Sequence, residues 1–316
     1  MQKTPCSWGI FLLRECVRVR IIQTMPELPE VESIVCSLQP LLVGRSIVRV
    51  TVLDPRIIAG TGNKRSWTSG AVPAFVESLL YEKIVAVGRR AKNFFLVFAS
   101  GKCLVGHLKM TGQLLYEARK STALPGPHVR VVFELSQGTL LYADARRFGY
   151  LLVYPRFSDW EDVCKKAYGL EPLSNDFTPR AFAERLKKKP HVSVKAALLR
   201  QDIVSGIGNI YCDEVCFLAR VHPGRPIGSL RTEELRALHT AIKTVLREAV
   251  RHGGSSISDY VLPDGKKGSY AYFHQVYGRE GKLCRRCSAI LQKQRIAGRT
   301  TAFCMKCQPE CFDFLL

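Results

Sequence analysis

No stretch of the 316 residues approaches the roughly twenty consecutive apolar residues that a membrane-spanning helix needs, so a membrane reading lacks an anchor. Internal repeats and low-complexity tracts are also missing, which sets aside repeat architectures. Acidic residues are scarce: 27 Asp and Glu face 47 Lys and Arg, for a net charge of +20. That excess is larger than solubility needs and points to a polyanion, nucleic acid ahead of an anionic membrane surface. A basic protein with solvated lysines is the bland alternative. Cysteine is too sparse for a secreted disulfide framework. Twelve in 316 residues, mostly scattered, suit a reducing cytoplasm, where they act as small buried hydrophobes. Cys212 and Cys216, four apart on an expected helix, read as core.

What is present is enough to fold. The hydrophobic fraction is 47%, and the length suggests two domains, each with its own core. Residues 1–24 fit no targeting class: the apolar run Trp8–Leu13 meets Arg14, Glu15, Arg18 and Arg20 at once, with no small-residue cleavage site. An organelle presequence is one reading, and a start assigned too far upstream is the simpler one. The run Met25-Pro26-Glu27-Leu28-Pro29-Glu30-Val31-Glu32-Ser33-Ile34 reads as an internal start. A proline behind an initiator methionine becomes a free secondary amine once the methionine is trimmed.

Residues 27–43 predict a helix, with Val31, Ile34, Val35, Leu38, Leu41 and Leu42 on one face and Gly44 at its end. Short β-rich runs follow at 46–53, 83–89, 93–98, 102–109, 129–135, 139–143 and 149–154, and predict a sandwich or barrel. Phe94–Phe98 is apolar throughout, which suits a strand covered on both faces. Residues 60–70 read as a surface loop. After Pro155 the pattern turns helical, at 159–167, 179–188, 192–202, 209–219 and 232–251, the last capped by Thr232. Residues 253–281 read as a long loop.

The strongest physical signal is Cys284-x2-Cys287-x16-Cys304-x2-Cys307. Two such knuckles supply four thiolates to one tetrahedral zinc ion, with a β-hairpin between them. Four thiolates leave no open position, so the zinc is structural. Arg285, Arg286, Lys293, Arg295, Arg299 and Lys306 fall in this element without one acid, which suits phosphate contacts. Gly206-Ile207-Gly208-Asn209-Ile210-Tyr211 lacks the third glycine of a dinucleotide fingerprint. It reads either as an ordinary tight turn or as backbone N–H groups offered to a DNA phosphate at a helix start. Gly88-Arg89-Arg90-Ala91-Lys92-Asn93 and Asp144-Ala145-Arg146-Arg147-Phe148-Gly149 each read as a hairpin with a solvated charged edge, or as arginines and an aromatic that enter a duplex.

These pieces, together with His107-Leu108-Lys109-Met110-Thr111-Gly112 and Gln275-Val276-Tyr277-Gly278-Arg279, lie in the order of one family. The chain resembles formamidopyrimidine-DNA glycosylase from residue 25 to about residue 308. The resemblance implies an α+β multidomain fold: an N-terminal β-sandwich with a leading helix (25–155), a helix–two-turn–helix domain (156–254), a lesion-recognition loop and connector (255–278) and a four-cysteine zinc finger (279–308). Residues 1–24 would be a mis-assigned or removed leader, and 309–316 a C-terminal tail.

It further implies that Pro26 is the nucleophile at C1′ of the damaged nucleoside, Glu27 the acid/base group, and Lys92 a lysine that contacts DNA near the lesion and assists strand cleavage. Glu30 matches a second family carboxylate. Met110, Arg146 and Phe148 would fill the gap left by the flipped base; His107, Asn209 and Arg299 would grip phosphates. Cys284, Cys287, Cys304 and Cys307 would hold one zinc ion. Without the resemblance, Glu27 and Glu30 read as acids offsetting a helix dipole, and Met110 and Phe148 as core. The partner would be damaged double-stranded DNA, and the chain a cytoplasmic, nucleoid-associated monomer without a membrane partner. Leu28, rather than glycine, and the segment Ser255–Phe273 favour oxidised purines over the oxidised pyrimidines of the endonuclease VIII group. Two other readings stand: a silent damage-binding protein, if residues 1–24 keep the Pro26 nitrogen an amide, and a zinc-ribbon regulator.

Overall fold

The computed structural model describes residues 25–58, 71–119 and 126–310. The expected leader (1–24), the whole of the expected loop at 60–70 and the end of the tail (311–316) lie outside the described residues.

The expected first helix forms as α1 (Leu28–Leu42). Glu27 is its N-cap, and the Glu30 side chain accepts the Glu27 N–H at 2.8 Å. Gly44 follows with φ +87°, a conformation that glycine adopts without strain. Strands β1 (Ile47–Val52) to β8 (Tyr150–Tyr154) then build two antiparallel four-stranded sheets. One has the order β1-β6-β7-β5, with β5 Gly112–Glu117, β6 Val129–Leu135 and β7 Thr139–Asp144. The other has the order β2-β3-β4-β8, with β2 Ile84–Arg90, β3 Asn93–Phe98 and β4 Cys103–His107. Inward residues of both sheets, such as Phe133, Tyr142, Phe94 and Leu104, pack with Val31, Ile34 and Leu38 of α1 into one core. β3 is covered on both faces, as its sequence predicts: Phe94, Leu96 and Phe98 join that core, while Phe95 and Val97 meet Trp160 of α3 (Phe157–Ala167).

Two elements escaped the sequence reading: β5, and α2 (Ala71–Leu79), which buries Phe75 and Leu79.

The second half is helical: α4 (Pro179–Lys187), α5 (Val194–Leu199), α6 (Asn209–Leu218) and α7 (Thr232–Arg251). The N-cap of α7 is Arg231, not Thr232, and its N–H is accepted by Glu234 at 2.8 Å. Cys212 and Cys216 are buried in this domain's core. Between the cysteine knuckles, β9 (Gln292–Ile296) and β10 (Arg299–Phe303) form the expected hairpin.

Leu28 ties the halves together. It sits on α1, yet its side chain packs in the helical-domain core with Val204, Ile207 and Ile210.

Candidate active site and nucleic-acid interface

Between the domains lies a cleft of about 1290 Å³, lined by Glu27, Lys92, His107, Met110, Asn209 and Arg299 among others. Six of the residues singled out from the sequence therefore meet at one place, although they come from α1, the β2–β3 turn, the β4–β5 connection, α6 and the zinc hairpin. Pro26 is buried immediately before Glu27, and Met25 also lines the cleft.

Glu27 is 3% exposed. Its carboxylate accepts the N–H of Gly208 at 2.7 Å and of Ile210 at 2.9 Å, at the start of α6. A Cβ on Gly208 would lie 2.4 Å from that carboxyl group, so only glycine leaves room for it. Gly206 has φ +90°, and a Cβ there would meet Leu28 at 2.6 Å. This corrects the reading of the Gly206–Tyr211 turn as a cradle for a DNA phosphate: the anion at these N–H groups is the chain's own Glu27. Burial pushes the Glu27 carboxyl up from its ordinary range, against the pull of Lys92 and of the Ile210, Gly208 and Tyr211 N–H groups.

Lys92 sits in the β2–β3 turn, 6% exposed. Burial lowers its pKa, opposed by Glu27 and Glu30 and reinforced by Arg299 and Lys109. Glu30 accepts the N–H of Glu27 and of Ser255 (both 2.8 Å) and shares a hydrogen bond with the Tyr211 hydroxyl. Burial, followed by the nearby Glu27 charge, raises it to about 7. Tyr211, Ser255 and Asp144 were not singled out as site residues. Tyr211 was noticed only as the residue standing where a glycine would complete a fingerprint.

Asp144, fully buried, organises its turn by accepting the N–H of Arg146 at 3.1 Å and of Gly149 at 2.7 Å, and the Thr111 hydroxyl. The turn presents Phe148, 40% exposed, with the Arg146 guanidinium 4.5 Å from the ring centroid and 3.4 Å from the Met110 sulfur. The three expected gap-fillers thus form one cluster, and the core alternative fails for Phe148. His107 Nδ1 accepts the Lys109 N–H at 2.9 Å, and burial, then Lys109 and Lys92, push its pKa down to about 3. Its neutral ring therefore offers Nε2 as the remaining polar atom. Asn209 donates to the Thr300 carbonyl at 3.1 Å, which joins α6 to the hairpin beside the exposed Arg299.

Arg89 and Arg90 do not form a solvated or DNA-facing edge. Arg89, its side chain 4% exposed, pairs with Glu32 at 2.5 Å and Glu171 at 2.7 Å; Arg90 pairs with Glu171 at 2.8 Å. Glu171 belongs to the second half of the chain, so this network locks the domains together.

The four knuckle sulfurs lie within 4.8 Å of one another, with Cys284–Cys307 at 4.0 Å and Cys287–Cys304 at 3.5 Å. A Zn–S bond of about 2.3 Å implies sulfur–sulfur edges of about 3.8 Å, so the donor set fits one tetrahedral zinc.

Residues 25–151 match the formamidopyrimidine-DNA glycosylase N-terminal domain, 168–261 the formamidopyrimidine-DNA glycosylase H2TH domain, and 281–309 the zinc finger found in FPG and IleRS. Among curated proteins, the formamidopyrimidine-DNA glycosylase of Chloroflexus aggregans is 40% identical over 286 residues, covering 90% of this chain and 98% of its own. That of Pelotomaculum thermopropionicum is 38% identical over 287 residues, covering 90% and 99%. Among solved structures, a Lactococcus lactis FPG mutant in complex with Fapy-dG-containing DNA superposes with a TM-score of 0.80 at 34% identity, covering 90% of this chain and all of that one. The L. lactis Fpg in complex with abasic-site DNA gives 0.80 at 32% identity, covering 90% and 99%. With its two-sheet domain, its helix–two-turn–helix domain and its four-cysteine finger all matched in order, the chain belongs to the formamidopyrimidine-DNA glycosylase family.

Proposed function

We propose that the chain is a bifunctional DNA glycosylase and abasic-site lyase that removes oxidised purines, 8-oxoguanine and formamidopyrimidines, from duplex DNA. The observation that carries this reading is the placement of Glu27, the residue after Pro26. It is held by the Gly208 and Ile210 N–H groups beside Lys92, at the edge of a cleft that also holds Arg299.

Pro26 attacks C1′ of the damaged nucleoside as a secondary amine, forming an iminium as the base leaves. An α-amine has a reference pKa of about 7.7–8.0 against about 10.4 for lysine, so far more of it is unprotonated near neutral pH. Glu27, with its pKa raised by burial, protonates the opening sugar ring. The iminium acidifies the adjacent sugar proton, and β,δ-elimination then cuts both sides of the site, assisted by Lys92. Met110, Arg146 and Phe148 fill the space of the extruded nucleotide. His107, Asn209 and Arg299 serve the phosphates. Cys284, Cys287, Cys304 and Cys307 hold the zinc that fixes the hairpin. The chain acts as a monomer in the cytoplasm, on nucleoid DNA.

Borohydride trapping on 8-oxoguanine duplex DNA tests this, on chains beginning at Met1 and at Met25. A covalent adduct through Pro26 in the Met25 chain, lost in Pro26→Gly with an acetylated terminus, is the expected result. Salt-sensitive binding to abasic DNA without an adduct from either chain would leave the silent damage-binding reading. Faster excision of an oxidised pyrimidine than of 8-oxoguanine would move the chain to the endonuclease VIII group.

A further inference from the structure

Four buried polar side chains run in line behind the catalytic end of α1. The Tyr211 hydroxyl contacts Glu30 Oε1, lies 3.3 Å from Ser255 Oγ, and Ser255 Oγ lies 2.9 Å from His274 Nε2. Glu30 is 1% exposed, Tyr211 0%, Ser255 2% and His274 4%. Both hydroxyls can donate in either direction. A run of reversible hydroxyls between a carboxyl group and an imidazole admits two arrangements with the same number of protons.

We propose that Glu30 and His274 share one proton through the Tyr211 and Ser255 hydroxyls, so that His274 is a positioning residue that sets the protonation of Glu30. In one arrangement Glu30 is a neutral acid that donates to Tyr211, Tyr211 donates to Ser255, and Ser255 donates to His274 Nε2. In the other the Glu30 O–H bond is broken and its proton is on Tyr211, whose own has passed to Ser255, and that of Ser255 to His274. A carboxylate and an imidazolium result, with net charge unchanged.

The surrounding groups select the first arrangement at neutral pH. Glu30 faces Glu27 on its own helix, Tyr211 on α6 and Tyr260, with Lys92 opposing. His274 is packed by Tyr270 and Tyr277, and the Arg285 charge disfavours its protonation. Burial brings Glu30 up to about 7 and His274 down to about 4, which agrees with a proton resting on the carboxyl end. Ser255 and His274 are also the two ends of the segment that crosses to the first domain, where Gln113 donates to the Asp259 carbonyl and Tyr116 N–H to the Pro263 carbonyl at 2.9 Å. The catalytic meaning of this coupling rests on the glycosylase reading; the proton pair itself does not.

Infrared difference spectroscopy of the full chain tests it without DNA. The band of a protonated carboxyl group that Glu30→Gln removes is titrated in each variant. In His274→Leu and Ser255→Ala the donor run loses its end, and the midpoint of that band falls by about one pH unit, the worth of one hydrogen bond. His274→Gln, whose carboxamide oxygen can still accept from Ser255, keeps the parent midpoint. Ser255→Ala covers the case in which His274→Leu does not fold. An unchanged midpoint in Ser255→Ala, or no band that Glu30→Gln removes, overturns the proposal. Borohydride trapping run on the parent separates the two readings: coupling without an adduct leaves the proton pair and removes the glycosylase, and an adduct without coupling does the reverse.

Discussion

The Glu27 carboxylate lies 2.7 Å from the Gly208 N–H, a contact that joins residues 181 apart and closes the two domains at the chain's most chemically loaded point. The first turn of one helix is thereby capped onto the first turn of another, with its carboxylate serving the N-terminal dipole of α6.

Gly208→Ala should break this contact. The new Cβ would lie 2.4 Å from the Glu27 carboxyl group, so that side chain must swing off the Gly208 and Ile210 N–H groups. A stability loss of about 1–3 kcal/mol is expected from overpacking, checked by denaturant unfolding. Excision should fall further than that loss explains, because Glu27 is displaced in the molecules that remain folded.

Glu30 makes stability depend on pH. Its pKa rises from 4.5 to about 7 on folding. Between those values the native state holds a proton that the unfolded chain has released, so the Glu30 contribution to stability is fully present below 4.5 and is lost as pH climbs through about 7. Glu27 and Asp213, also raised, act in the same direction. Glu30→Gln should remove about 3 kcal/mol of this slope, read from urea midpoints at pH 5 and pH 8.

Arg89→Met should loosen the domains. It strips Glu171 of one of its two guanidinium partners and leaves Glu32 without its own. Removing one partner of a buried pair costs about 3–5 kcal/mol, and a double-mutant cycle with Glu171→Gln should return a coupling energy well above that of a surface pair.

Chelation of the four-thiolate site should unfold the hairpin alone. Its small core of Leu291, Ala302 and Cys304 leans on Phe217 and Val276, whereas the helical domain has an independent core. Hydrogen exchange should speed up over 281–308 and stay slow in α7, with zinc restoring protection.

Arg299→Ala, at an exposed position on the cleft wall, should weaken duplex binding for every sequence alike. The slope of log affinity against log salt should decrease in magnitude by about one, measured by titration across salt concentrations.

The sequence carried the features that depend on short spacing. The apolar stripe of α1, the all-apolar β3 and the paired Cys-x-x-Cys knuckles each declare themselves within twenty residues or so. The misreadings concern residues whose partners are remote. Arg89 reads as a solvated charge because nothing nearby announces Glu171, 82 positions later. Gly208 reads either as part of a tight turn or as a phosphate cradle because the occupant of its N–H, Glu27, precedes it by 181 residues. β5 was missed because Gly112–Glu117 has a weak alternation that only pairing with β7 completes. Tyr211 drew attention for the glycine it replaces, whereas its hydroxyl is what matters, and no periodicity marks a hydroxyl.

Leu28 lies in the helical-domain core while Val31 and Ile34, less than two turns on, lie in the sandwich core. Prising the halves straight apart would extract a fully buried leucine at a cost of about 1.5–3 kcal/mol, before any polar contact is counted. The helix is accordingly a pin seated in both cores, and any movement that parts the walls of the cleft must first draw that leucine from its socket.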